Sequence, residues 1–159
     1  MLFRSPTTFT LSDIRLPNGL SLRLPETSFL NQVYKYLSDA TAPRDRSFVF
    51  DGLDFDNDTI RMQPETDTAI TNLSSMLKAF PSVTLRIEGH SDRSADPSAD
   101  RESSLARAEA LKQLLVKAGV PSDRIRTAGL GSEKPVATND TADGRAKNRR
   151  IELSFTKST

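Results

Sequence analysis

The stretch "LRIEGHSDRS", residues 85–94, joins a strand to a polar loop. Leu85 and Ile87 alternate with charged residues, which is the period of a half-buried strand. The Gly-His-Ser-Asp that follows ends on Asp92, at a strand end, where polar side chains stand on a rigid support. The pattern therefore predicts a strand over Thr84–Glu88 and candidate functional residues directly after it.

The segments on either side of this strand predict alternating strands and helices. Apolar residues at helical spacing predict a helix over Pro64–Phe80, which Pro81 ends. A second helix follows the quoted stretch and ends at Ala118-Gly119, where glycine suits a C-terminal stop. The remaining segments are a strand at "SFVF", a strand in "RIRTAGLG", a polar loop over residues 132–147 and a last strand in "RRIELSF". The order β-α-β-α-β-loop-β predicts an α+β fold with two main helices packed on a small mixed sheet.

The first 45 residues form a separate small unit in this interpretation. Asn18-Gly19 between apolar runs indicates a hairpin. A helix follows, with its apolar stripe beginning at Phe29 and a cap at Thr27 or Ser28. We therefore predict an accessory hairpin and helix over residues 1–45 and a second domain over residues 46–159. The accessory unit either packs on that domain or connects it to a membrane anchor.

Composition excludes several functional classes. The chain carries 22 Lys and Arg against 21 Asp and Glu, which offers no electrostatic basis for binding nucleic acid or a membrane surface. No apolar run is long enough to span a bilayer, and the start lacks a signal peptide's apolar core. There is no cysteine, so disulfides and thiolate metal sites are excluded.

The sequence predicts no catalytic centre, no metal site and no cofactor. His90 is the only histidine, and its neighbour Ser91 points to the opposite side of an extended strand. A nucleophile with its base therefore cannot form there. The acidic loops lack the glycine and terminal glutamate of an EF-hand. We expect His90 to be a strand-end histidine hydrogen-bonded to the backbone.

Arg107 lies on or beside the apolar face of the second main helix. A guanidinium in that position needs a carboxylate or an anion, because an unpaired buried charge is costly. Asp92, at the end of the adjacent strand, is a candidate neighbour. Two interpretations remain open: a structural salt bridge, or a cleft in which Asp92 takes an ammonium and Arg107 takes a carboxylate of one zwitterionic ligand.

Several motifs in a fixed order resemble the OmpA-like C-terminal domain, the family of peptidoglycan-binding domains found in OmpA, Pal and MotB proteins. The resemblance covers roughly residues 47–156. The motifs are Phe55-Asp56 after the first strand, Gly-His-Ser-Asp at 89–92, Arg107-Ala108, and "GRAKNRR" at 144–150.

The resemblance implies a non-catalytic module in the periplasm of a diderm bacterium. It implies that Asp92 accepts from the ammonium of meso-diaminopimelate in the peptidoglycan stem peptide, and that Arg107 binds its carboxylate. A homodimer is compatible with it. The other residues expected at the ligand site are Phe55 and Asp56 as lining, His90 and Ser91 as shapers of the loop, and Asn148 and Arg149 as braces.

Asp100 completes the expected site, because it stands where the family commonly has an asparagine near the ligand. An ionised carboxylate only accepts hydrogen bonds, whereas asparagine also donates. This difference leaves an alternative function: an envelope protein–protein interaction module with the same fold and weakened or lost glycan binding.

Overall fold

The computed structural model describes residues 11–157. Its strands are β1 (Leu11–Arg15), β2 (Ser21–Pro25), β3 (Asp45–Val49), β4 (Phe55–Asp56), β5 (Thr59–Ile60), β6 (Thr84–His90), β7 (Ile125–Gly129) and β8 (Arg150–Thr156). Its helices are α1 (Phe29–Ser38), α2 (Pro64–Ala79), α3 (Pro97–Lys117) and α4 (Ala142–Asn148).

The central sheet has four strands in the order β3-β8-β6-β7. β8 runs antiparallel to both of its neighbours, and β6 pairs with β7 in parallel. Leu85, Ile87 and Leu153 are fully buried on the face that the helices cover. Alternate residues, including Glu88 and Glu152, which pair directly across β6 and β8, point to the opposite face. The predicted α+β fold with a mixed sheet is confirmed.

Helix α2 begins where the sequence predicts, and α3, whose start was not predicted, begins in the same manner. Pro64 and Pro97 occupy first-turn positions, where the missing amide hydrogen costs nothing. Asp96 caps α3, because its carboxylate accepts from the amides of Ser98 and Ala99. The side of α3 toward the sheet carries its buried small and apolar residues, Ala108, Leu111 and Leu115 among them.

Arg124 ties the end of α2 to the sheet. Its guanidinium donates to the carbonyl oxygens of Leu77 at 2.6 Å, Phe80 at 2.8 Å and Val83 at 2.7 and 3.1 Å. Burial lowers the pKa of Arg124, with Asp123 acting in the opposite direction. The side chain thus acts as a C-terminal cap supplied from another part of the chain.

We expect Arg124→Met to lower the free energy of unfolding by about 3 kcal/mol, because three part-buried carbonyls lose their donor. Arg124→Lys should recover only part of the loss, since an ammonium lacks the planar fork. Urea unfolding followed by circular dichroism measures both. Equal stability of the methionine variant and the wild type would contradict the capping role.

The N-terminal unit packs on the rest of the protein. The phenyl rings of Phe29 and Phe50 lie 4.7 Å apart, and the rings of Tyr36 and Phe48 lie 6.0 Å apart. The Tyr36 hydroxyl donates to the carbonyl of Arg44 at 2.6 Å, and burial raises its pKa. Apolar residues of β1, β2 and α1 join the same core as those of the sheet. Contact with the domain is therefore observed, and the boundary at residue 45 stays a prediction.

Two segments predicted as loops contain regular structure. The acidic segment after β3 folds into the short hairpin β4–β5, with Asn57 at φ 55° in its turn. The prediction of a loop over residues 132–147 was wrong at the end of that range, where α4 forms. This seven-residue helix has a Thr141 cap that accepts from the Gly144 amide at 3.0 Å. Its polar sequence lacks apolar periodicity, so tertiary contacts decide its conformation.

Candidate ligand-binding cleft

A cleft of about 400 Å³ lies between the β4–β5 hairpin, α3 and the end of α4. Three guanidinium groups and one carboxylate line it, which makes it basic and suited to anionic groups. Larger pockets lie elsewhere, between the N-terminal unit and the domain. The lining residues of the basic cleft are Leu53, Asp54, Phe55, Arg61, Arg107, Ala146 and Arg149.

Arg107 presents its guanidinium to this cleft from α3. The side chain is only 16% exposed, and the guanidinium carbon lies 5.2 Å from the centre of the Phe55 ring. Its Nε donates to the carbonyl of Asn57 at 3.3 Å and lies 3.5 Å from Asp58 Oδ1. Within residues 11–157 the two terminal nitrogens make no hydrogen bond. A carboxylate can therefore take the open side of the fork.

Asp92 follows β6 and is paired with a different arginine. Its Oδ2 lies 3.4 Å from Nη1 of Arg149, and its side chain is 25% exposed. In the described part of the chain, no ion pair joins Asp92 to Arg107. A direct structural salt bridge between these two residues, one of the two interpretations, is therefore not formed. Arg149 lines the cleft together with Arg107 and also contacts Asp92, which is not itself among the lining residues.

Asn148 holds the loop beside the cleft and uses its whole amide to do so. Its Oδ1 accepts from the amides of Val136 at 2.8 Å and Ala137 at 3.0 Å. Its Nδ2 donates to the Ala137 carbonyl at 3.0 Å and to Asn139 Oδ1 at 2.9 Å. Asn139 Oδ1 in turn accepts from the amide of Arg93, next to Asp92. Asn148 thus braces the loop that follows Asp92 and has no free group for a ligand.

Asp100 is buried near the start of α3 and is also engaged within the protein. Its two carboxylate oxygens accept from Ser94, at 3.1 Å from the amide and 2.5 Å from the hydroxyl. It is not among the residues that line the cleft. Its role in this structure is to close the loop between Asp92 and α3, because a carboxylate with both oxygens occupied is a structural acceptor.

The β4–β5 hairpin contributes differently from the prediction. Phe55 lines the cleft, as expected, but Asp56 does not. The Asp56 carboxylate accepts from Arg61 at 2.9 Å, and this bond raises the pKa of Arg61. Sequence reasoning missed Asp54 and Arg61 as lining residues. The sequence signal for both was an acidic run that ends at an arginine. This run forms a hairpin here instead of a solvated loop.

His90 and Ser91 lie beneath the loop and outside the cleft. The prediction that His90 bonds to the backbone was wrong: its ring is buried, and neither nitrogen has a hydrogen-bond partner among residues 11–157. Burial lowers the pKa of His90, and the charge of Arg150 lowers it further, while Glu152 and Glu88 oppose both effects. The amide of Ser91 donates to the Gly131 carbonyl at 2.9 Å.

The fold and the cleft define a small α+β module with a basic cleft lined by three arginines and one aspartate. The chain belongs to the OmpA family, whose model matches residues 54–149. It is 33% identical over 101 residues to a probable lipoprotein YiaD of Escherichia coli, and 37% identical over 99 residues to the peptidoglycan-binding protein ArfA of Mycobacterium bovis. These matches cover 64% and 62% of this chain.

The structure is similar to that of the peptidoglycan-associated lipoprotein from Burkholderia pseudomallei, with a TM-score of 0.60 and 27% identity. The likeness covers 76% of this chain and 98% of that one. By contrast, the matched region spans 46% of the E. coli protein and 30% of the mycobacterial protein. The family relatives are cell-envelope proteins, among them lipoproteins and outer membrane porins. No helix within residues 11–157 is both long and apolar enough to cross a membrane.

Proposed function

We propose that this chain binds peptidoglycan non-covalently and anchors an envelope protein to the cell wall. Membership of the OmpA family and the likeness to a peptidoglycan-associated lipoprotein support this function. The observation that carries it is the open guanidinium fork of Arg107 in a basic cleft, where Arg149 also contacts Asp92. The ligand we propose is the free zwitterionic end of meso-diaminopimelate in the stem peptide.

The two charges of that ligand match the two ends of the site. Its carboxylate binds the terminal nitrogens of Arg107 in a bidentate pair, which is stronger in a shielded site than in water. Its ammonium binds Asp92, whose contact with Arg149 at 3.4 Å is longer than a charge-assisted hydrogen bond. A ligand ammonium can therefore compete with Arg149 for Asp92, and Arg149 is left to hold a second ligand oxygen.

The alternative, a protein–protein interaction module with weakened glycan binding, depended on Asp100. That carboxylate is occupied by Ser94 and lies outside the cleft lining. Its negative charge is therefore not placed against the ligand. No observation on the described residues favours the alternative.

Co-sedimentation with purified sacculi tests the proposal. We expect the wild type to pellet with sacculi that contain diaminopimelate, and Arg107→Ala and Asp92→Ala each to weaken binding at least about tenfold, since removing one partner of a shielded charge pair is costly. Sacculi that contain lysine in the same position lack the side-chain carboxylate. The wild type should bind them about as weakly as Arg107→Ala binds diaminopimelate sacculi.

Arg23→Ala is the matched control, because Arg23 is also paired with an aspartate, Asp13, but lies on β2 and does not line the basic cleft. It should pellet like the wild type. If the folded wild type stays in the supernatant, the function is wrong. If it pellets and both cleft variants pellet equally well, the function stands and the site assignment is wrong.

A further inference from the structure

Three potential metal ligands meet on the face of the sheet opposite the helices. Glu88 and His90 lie two residues apart on β6, and Glu152 pairs with Glu88 from β8. The His90 Nε2 atom lies 3.7 Å from Glu88 Oε1 and 3.6 Å from Glu152 Oε2. One ligand atom from each residue falls within 4.8 Å of the others. This cluster lies outside the proposed peptidoglycan cleft.

His90 provides the strongest indication that this cluster binds a ligand. Its side chain is 1% exposed, and neither ring nitrogen has a hydrogen-bond partner within residues 11–157. A buried polar group without a partner is rare and calls for an explanation. Distances of 3.6 and 3.7 Å are too long for hydrogen bonds. They are close to the edge of a coordination tetrahedron, which is about 3.4 Å for bonds of about 2.1 Å from zinc to nitrogen or oxygen.

We propose that Glu88, His90 and Glu152 bind a divalent transition-metal ion, with zinc as the ion that fits one imidazole and two carboxylates. The two carboxylates are 17% and 21% exposed, so the ion has a route from solvent to the buried imidazole. The fourth position stays open to water. The ion would cross-link β6, which leads to Asp92, and β8, which follows Arg149.

Two arginines form the outer shell of this site. Arg86 Nε lies 3.1 Å from Glu88 Oε2, and Arg150 Nε lies 2.6 Å from Glu152 Oε2. The terminal nitrogens of Arg150 donate to the carbonyls of Asn148 and Lys134, which fixes its direction. Such partners orient ligating carboxylates. Their positive charges also repel the ion, so we expect micromolar affinity and not the tighter binding of a structural zinc site.

Isothermal titration of the full chain, stripped with EDTA, with zinc chloride tests the proposal. We expect one equivalent of zinc to bind. His90→Gln and Glu152→Gln should each weaken binding at least about tenfold, as loss of a ligand exceeds loss of an outer-shell partner. Arg86→Met should change binding less than either ligand variant, because it removes an orienting contact to Glu88 and a repelling charge at the same time. Glu65→Gln, an exposed glutamate on α2, is the matched control and should leave binding unchanged.

Cobalt substitution gives an independent reading, since its visible absorption reports coordination by nitrogen and oxygen. The spectrum should appear with the wild type and vanish with Glu88→Gln, whose fold is checked by circular dichroism in EDTA. Absence of stoichiometric binding by the wild type overturns the proposal. Binding that survives both His90→Gln and Glu152→Gln also overturns it, because the ion then lies elsewhere.

Discussion

Gly89→Ala is expected to cause the largest loss of stability among the proposed variants. A Cβ atom at this position would overlap the backbone carbonyl of Ser104, where α3 lies directly on β6. Neither partner can move freely, because Ser104 is fully buried and its Oγ accepts from the Gly131 amide at 2.9 Å. Moving α3 away from the sheet would also weaken the hydrogen bond from the Ser91 amide to the Gly131 carbonyl. We expect a loss of about 3 kcal/mol or more, at the upper end for overpacking.

Gly19→Ala is the matched control for that substitution. Gly19 has φ +88° in the β1–β2 turn, and an added Cβ meets nothing within 4 Å. Its cost is conformational alone, about 1–2 kcal/mol for placing an L-residue in the left-handed region. Urea unfolding of both variants separates the two effects. If Gly89→Ala proved no less stable than Gly19→Ala, the close approach of α3 to β6 would be wrong.

Asn148→Asp is expected to lower the free energy of unfolding by about 3 kcal/mol, because buried polar groups lose their partners. The remaining Oδ1 can still accept from Val136 and Ala137. The second oxygen of the new carboxylate would face the Ala137 carbonyl and Asn139 Oδ1, which are both acceptors. An ionised carboxylate that replaces an amide donor in a buried site is repelled by the neighbouring oxygens and also loses its hydration.

Urea unfolding and amide hydrogen exchange together test the Asn148 prediction. The amides of Val136 and Ala137 should exchange faster in Asn148→Ala, where their acceptor is gone, than in Asn148→Asp, where it is kept. Asn18→Asp in the exposed β1–β2 turn should change stability little. Unaltered exchange at both amides in the alanine variant would show that Asn148 does not hold this loop.

Much of the fold could be predicted from local pattern. Alternation at Leu85 and Ile87 predicted β6, and the prolines at 64 and 97 mark the starts of α2 and α3. These signals are local, because burial of one face imposes a period and a missing amide hydrogen restricts position. The hairpin β4–β5 and α4 escaped the same reasoning. Both are short and polar. The hairpin accepts from a distant residue, Arg107, and α4 ends at Asn148, which holds the loop through Val136 and Asn139.

The candidate site was likewise predictable in part, for features that depend on local sequence. Asp92 and Arg107 were identified from sequence, yet their relation was open between a salt bridge and a ligand cleft. The structure gives each a different partner, Arg149 and Asp58. The bracing role of Asn148 was expected from the resemblance. Its partners, and the Ser94 groups that occupy Asp100, could not be predicted, because they come from loops.

The sequence by itself determined the order of the main strands and helices, the α+β class and the family motifs, since each depends on periodicity or on residues within one stretch. Only the tertiary structure decided which charges meet. Pairing β6 with β8 in antiparallel register places Glu88 opposite Glu152 and beside His90, although 64 positions separate the two glutamates. The sequence specifies the chemistry of each side chain. The distance between two side chains is set by packing between segments and cannot be inferred from one segment alone.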